Sequence, residues 1–433
     1  MSEGCICNNS GMMPTAADRV QWFRDARFGL FLHWGLYSVL GRNEWSIYLD
    51  RWSLAEYEGL ADRFVPRQYD PQRWAAMAVE SGAKYLVLTT RHHDGFCLFD
   101  SAVSRFSSVQ RAAKRDLVAE YVAALHSAGL KVGLYYSLSD WRFKGHWDAV
   151  RYPESAAAMV AQTHAQVREL LTQYGRIDLL WYDGGGWSDP AVAPRDAYRS
   201  AELNAMARHL QPHLLINDRS GWPEDFGTPE TVIKPSEEES RPWESCLQMD
   251  EISWGHVPHS PNLRTPARLV AEMVEVAAGA GNLLLNTGPT PDGEIRPEEE
   301  RRIRVLGEWL TRYGACLYGS RRSRLSEHGV MGSANRHARW IGTPDPCVHY
   351  LAALCWMGDE FFTVLIDGRV EEVTLMPTGE PVAFTQGAWG RLTFTGLPAT
   401  PPDPLCTLFK VRFAAPPALL APSADGSWLV SPY

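Results

Sequence analysis

The chain predicts an α/β protein, an irregular (β/α)8-like barrel followed by a C-terminal antiparallel β-sandwich, and two patterns carry that expectation. Through the first three quarters, short apolar runs ending in polar or glycine residues alternate with amphipathic stretches, the order that builds a parallel sheet. After Tyr318 the pattern becomes short β-type runs separated by Gly, Pro and Asp turns, with no helical stretch of useful length. A closed barrel outranks a doubly wound sheet because no G-x-G-x-x-G phosphate loop follows any strand. The expected boundaries are a flexible N-terminal tail at 1–17, the barrel at 18–325, the sandwich at 326–415 and a loosely held tail at 416–433.

In order, the barrel strands are expected at 28–33, 85–90, 131–137, 177–183, 214–217 and 282–286, each a short apolar run with a polar or glycine end. Helical periodicity falls between them at 71–81, 116–128, 156–174, 197–209 and 266–278. Strands six and seven have no secure place in this pattern. The region 220–261, rich in Pro, Glu and Trp, reads as long loops, which in a barrel lie over the site. The sandwich strands are expected at 339–341, 348–354, 360–366, 372–376, 381–385, 391–394 and 406–413.

Composition narrows the function classes. Hydrophobic residues make up 45% and charged residues 21%, a globular balance with enough apolar mass for a sizeable core. A net charge of −9, without any basic run, disfavours a nucleic-acid partner. No basic segment followed by an apolar one opens the chain, and no apolar run approaches the roughly 20 residues of a membrane span. The expectation is a cytoplasmic protein with no membrane partner, and self-association into a homo-oligomer stays open. The eight cysteines are scattered, and the one close pair, Cys5 and Cys7, has no second pair at zinc spacing, so reduced thiols are expected. The 17 Trp and 16 Tyr exceed packing needs and suit a polyol-binding cleft.

The richest stretch is Leu180-Trp181-Tyr182-Asp183-Gly184-Gly185-Gly186-Trp187-Ser188, an apolar strand that breaks at one carboxylate into three glycines between tryptophans. The strand fixes the acid, the glycines let a ligand approach, and indole faces stack on sugar C–H groups. Alone, this Asp-Gly reads first as a turn or a helix cap. Other strand ends change that balance: His33-Trp34-Gly35, Arg91-His92-His93-Asp94-Gly95, Tyr135-Tyr136-Ser137 and Asn217-Asp218-Arg219 all face the same barrel mouth. A zinc site built from His33, His92, His93 and the acids is disfavoured, since adjacent histidines on a strand point to opposite faces and no H-x-H or H-E-x-x-H spacing occurs. Nucleophilic glycoside cleavage needs a second, initially protonated carboxyl. The loop region offers Glu224, Asp225, Glu230, Glu237, Glu238, Glu239 and Glu244. Glu237–Glu239 reads as a solvated acidic run, while Glu230 after Pro229 and Glu244 after Trp243 have neighbours able to desolvate a carboxyl.

Five blocks together resemble the α-L-fucosidases of glycoside hydrolase family 29: the run from Phe28 to Ser38 containing His33-Trp34-Gly35, Asn43-Glu44-Trp45, the run from Leu88 to Phe96, Trp181-Tyr182-Asp183-Gly184, and the run from Gly281 to Pro289. They occur in the family's order over about three quarters of the chain. The resemblance implies a retaining exo-glycosidase acting on terminal α-L-fucose of a glycan or fucoside, with no metal or organic cofactor. By position it makes Asp183 the nucleophile and gives His33, Glu44, Trp45, His92, His93, Tyr135, Trp181 and Arg219 to sugar binding. The acid/base falls on Glu230, which matches the family's Thr-Pro-Glu position, with Glu244 of Pro242-Trp243-Glu244 as the alternative. Many members carry secretion signals, which this chain departs from. Two competing readings are a non-catalytic fucose-binding protein on the same fold and a metal-dependent hydrolase on a similar barrel.

Overall fold

The computed structural model describes residues 16–238, 240–326 and 337–420. Cys5, Cys7, Glu239 and much of the two expected tails lie outside the described residues, as do positions 327–336 at the start of the expected sandwich.

Seven parallel strands form a curled sheet: β1 (Phe28–Leu32), β2 (Tyr85–Arg91), β3 (Lys131–Ser137), β4 (Leu179–Asp183), β5 (Leu215–Ile216), β6 (Glu244–Gln248) and β7 (Asn282–Thr287). Their spatial order is β5-β4-β3-β2-β1-β7-β6. The edges β5 and β6 are joined by 225–231, a segment too irregular to be a named strand. It makes parallel bridges on both sides, Asn217 with Phe226 toward β5, and Gly227 with Trp243 and Glu230 with Cys246 toward β6. This eighth stave closes the ring. The expectation of long loops across 220–261 is thereby corrected: strand six is this stave and strand seven is β6. Pro229 and Gly227 disguise the first, and the polar run Glu-Ser-Cys-Leu-Gln disguises the second, although every residue of β6 is buried.

Helices cover the outside where the periodicity placed them. Asp70 caps Pro71–Glu80 through the amides of Gln72 and Arg73, Asp116 caps Leu117–Ser127 through Ala119, and Thr265 caps Pro266–Ala278 through Arg268. The stretch expected at 197–209 is two helices, Pro194–Ala197 and Ser200–Leu210, because Arg199 takes a left-handed φ of 52° between them.

Strand alternation sorts the apolar side chains into two layers. Leu30, Leu86, Leu134 and Leu180 pack against the helices. Phe31, Val87, Tyr135, Trp181, Phe226, Cys246 and Leu284 fill the barrel interior. The helix Ala16–Ala26 closes one end of that interior, with the Phe23 ring 4.5 Å from Phe226. Two residues beyond the inward Phe31, Trp181 and Phe226 come His33, Asp183 and Thr228, and then Glu230, so the period of two delivers polar groups to the open end.

The C-terminal region is antiparallel. A six-stranded sheet runs in the order Glu380–Pro381, Val370–Leu375, Thr407–Phe413, Val348–Ala353, Ala338–Gly342, Arg321–Arg322, and a three-stranded sheet holds Glu360–Thr363, Leu392–Thr395 and Ala383–Gln386. They share a separate core around Leu351, Phe361, Phe394 and Phe409. Two expected strands are each divided. The 360–366 run breaks at Leu365, whose φ is 65°, and the 381–385 run passes from one sheet to the other at Val382.

Candidate active site

The barrel mouth opens into a cavity of about 380 Å³. Asp183, the last residue of β4, reaches it with a quarter of its side chain exposed. Its Oδ2 accepts from the Tyr135 hydroxyl at 2.9 Å, and Oδ1 lies 3.3 Å from Nη1 of Arg219. Burial pushes this carboxyl's pKa up, but His93, Arg219, the Gly184 amide and Tyr135 together outweigh it and hold the group below the usual range. Asp183 is therefore a carboxylate at neutral pH.

Gly184 is required directly after it. Its φ is 66°, and a Cβ there would stand 2.8 Å from both His93 Nδ1 and Ser137 Oγ.

Glu230 enters from the irregular stave, 43% exposed, with Oε2 3.0 Å from the same Nη1 of Arg219. One guanidinium nitrogen thus spans both carboxyl groups. Arg219 is itself fixed by Nε donating to Thr228 Oγ1 at 2.8 Å and Nη2 to the Thr228 carbonyl at 2.9 Å, with its guanidinium 5.1 Å from the Trp181 ring.

The histidines are positioned through their far nitrogens. His33 Nδ1 meets Asn286 Oδ1 at 2.6 Å, and Asn286 Nδ2 donates to the Trp254 carbonyl at 2.7 Å, which sets the amide's orientation. In the neutral ring this makes Nδ1 the donor and leaves Nε2 an acceptor. His93 Nδ1 lies 2.7 Å from Ser137 Oγ, whose hydroxyl proton goes to the Ser139 carbonyl, so His93 Nε2 is likewise an acceptor. It faces Asp183 Oδ2 across 3.6 Å. His92 Nδ1 is buried without a partner. Burial lowers all three imidazoles, His33 to about 3 and His92 well below its ordinary value. They are neutral and suited to hydroxyl groups.

Contrary to the strand expectation, His92 and His93 do not point to opposite faces. β2 ends at Arg91, and both rings line the cavity with centroids 4.1 Å apart. Arg91 turns away into the helix layer, bonded to Tyr136 and Gln166. Among the described residues no group of three His, Cys, Asp or Glu side chains is placed to hold a metal ion.

His33, Glu44, Trp45, His92, His93, Tyr135, Trp181, Asp183 and Glu230 all line the cavity, while Arg219 braces it from behind. Glu44 does so with Oε2 occupied, accepting from the amides of Trp254 and Gly255 at 3.1 and 3.0 Å. Glu244 does not line it. This carboxyl is fully buried beneath the floor, accepting from the Tyr85 hydroxyl and, at 2.9 Å, from the Trp181 indole. Burial raises it to about 7. Sequence reasoning missed Phe31, Trp141, His146, Trp147, Cys246 and Trp254, which also line the cavity. The tryptophan count was the signal available for three of them.

The model of the α-L-fucosidase family matches residues 12–315. Mouse tissue α-L-fucosidase is 31% identical over 427 residues, covering 91% of this chain and 90% of the mouse protein. Among solved structures, α-L-fucosidase isoenzyme 1 from Paenibacillus thiaminolyticus superposes with a TM-score of 0.81 at 31% identity, covering 92% of this chain and all of that one. A trapped covalent intermediate of a Bacteroides thetaiotaomicron α-L-fucosidase superposes with a TM-score of 0.79 at 25% identity over 92% and 96% of the two chains. With its barrel, its β-sandwich and this match over most of its length, the chain belongs to the α-L-fucosidase family.

Proposed function

We infer that this protein is a retaining exo-α-L-fucosidase that releases terminal α-L-fucose from a glycan or fucoside by double displacement. The observation that carries the reading is the bridge from Arg219 Nη1 to both acids. Because that one atom lies 3.3 Å from Asp183 Oδ1 and 3.0 Å from Glu230 Oε2, these oxygens lie no more than about 6.3 Å apart. Both acids thus reach one side of the same cavity, as a nucleophile and an acid/base acting on one glycosidic bond must.

Asp183, already ionised, attacks the anomeric carbon while Glu230, the acid open to the cavity, protonates the departing oxygen. A β-fucosyl-enzyme forms, and Glu230, now basic, activates the water that releases fucose. His33, His92 and His93 offer unprotonated or unpartnered nitrogens to the sugar hydroxyls, and a sugar with a misplaced hydroxyl leaves them unpaired. Phe31, Trp181 and Trp254 supply an apolar wall for the C6 methyl group. The carboxyl pair alone accounts for the chemistry, without a metal or organic cofactor. The covalent intermediate of the Bacteroides enzyme supports this route.

The test is hydrolysis of an aryl α-L-fucoside by wild type and Asp183→Ala. Turnover by the variant should fall by about a thousandfold or more with the fold intact by circular dichroism. Near-normal cleavage by Asp183→Ala would overturn the assignment.

A further inference from the structure

A second recess, about 370 Å³ in volume, opens beside the catalytic cavity and shares Tyr48, Trp141 and Trp147 with it. Tyr48 and Trp147 stack with centroids 5.6 Å apart and planes 10° apart, yet they stay 38% and 50% exposed. An exposed aromatic platform continuous with a sugar site suits a second ring of the substrate.

Charge makes the recess more selective than its aromatics do. Its lining carries Arg51, Arg142 and Lys144 and no carboxylate, in a chain whose net charge is −9. Arg142 is neutralised by Asp140 through two bonds of 2.9 and 2.6 Å. Arg51 and Lys144 have no carboxylate partner among the described residues, and the Arg51 guanidinium lies over the Tyr48 ring at 5.1 Å. Arg51 also follows the short helix Ser46–Leu49 with a φ of 58°, the helix-ending conformation that glycine adopts without strain. The fold thus holds a cation at a position where an unstrained residue would bring none.

We propose that this recess binds the sugar on the leaving-group side of the fucoside and selects one bearing an anionic group, a carboxylate or a sulfate. The proposal rests on the fucosidase reading and names the substrate class of that site.

The experiment uses the full chain and three α-L-fucosyl disaccharides differing only in the second sugar: neutral, sulfated, or a uronic acid. An aryl α-L-fucoside run alongside reports the parent activity. Wild type should favour an anionic substrate by about fivefold or more in kcat/KM, with the preference shrinking as salt rises. In Arg51→Gly that ratio should fall toward one while Tm holds or rises, since glycine relaxes the positive φ. Lys144→Gln should lower it in part. Preference for one anionic arm identifies the group, and preference for both assigns charge alone. Equal rates on all three disaccharides, or a preference that survives Arg51→Gly, would overturn the proposal while the aryl fucoside is still cleaved. Failure to cleave any fucoside would overturn the fucosidase reading, and the proposal with it.

Discussion

The indole of Trp181 donates to Oε1 of Glu244 across 2.9 Å, so the acid below the floor holds the ring that shapes it. Glu244 and Glu230 are thereby separated by burial as well as position, and the two should answer differently to removal. Glu230→Ala should lose about 10²- to 10⁴-fold in turnover of substrates with poor leaving groups, and azide should restore its rate on an activated aryl fucoside, which needs no proton to depart. Glu244→Ala should gain nothing from azide, and it should be destabilised by about 2 to 4 kcal/mol in urea because the Tyr85 and Trp181 donors are left unpaired. Azide rescue of Glu244→Ala instead would reverse the two roles.

The raised Glu244 also sets a pH dependence. In the unfolded chain it ionises near 4.5, and in the fold burial lifts it to about 7. Between these values the folded state binds the extra proton, so this group's stabilisation is full below the lower value and lost as pH rises through the upper one. Glu244→Gln should remove that loss. Melting temperatures of wild type and variant from pH 4.5 to 7.5 should converge in acid and diverge toward neutrality, and parallel curves would count against it.

Arg219 acts on Asp183 through charge. Replacing it with Met removes one of the groups that hold the carboxyl low, so the Asp183 pKa rises. The acid limb of the kcat/KM profile on an aryl fucoside should move to higher pH and kcat should fall. An unmoved limb would mean that another group controls it.

Gly184→Ala should cost about 10²-fold in kcat/KM and lower Tm, because the new methyl would meet His93 and Ser137 at 2.8 Å in a left-handed backbone. A variant with wild-type kinetics would contradict the fit described here.

Much of this molecule was legible in its sequence where a single period ruled. Asp183 and Tyr135 sit on strands, and His33 directly follows one, each a short apolar run whose polar end marks the open side. Legibility failed where partners distant in sequence decide the structure. The Glu244 strand looks polar and exposed until Tyr85 and Trp181 are placed around its carboxyl. Phe226 is a core residue of a stave that Gly227 and Pro229 make unrecognisable. His92 and His93 share a cavity because both lie beyond the end of β2 at Arg91, where strand alternation no longer applies. Trp141 and Trp147 lie in the connection after β3, and only folding reveals that it bends over the mouth.

The two acids are mounted in unlike ways. Asp183 belongs to a ladder of five register pairs along β3, whereas Glu230 rides on an irregular stave tied to the β6 side by backbone bonds at Gly227, Pro229 and Thr231 and to β5 by one from Asp225. Loosening those bonds would withdraw Glu230, the proposed proton donor, and leave Asp183 and the sheet intact. Competence then depends on a local equilibrium shallower than global unfolding, and amide exchange at 225–231 should outpace that at β4. On warming, activity should then be lost before the fold melts.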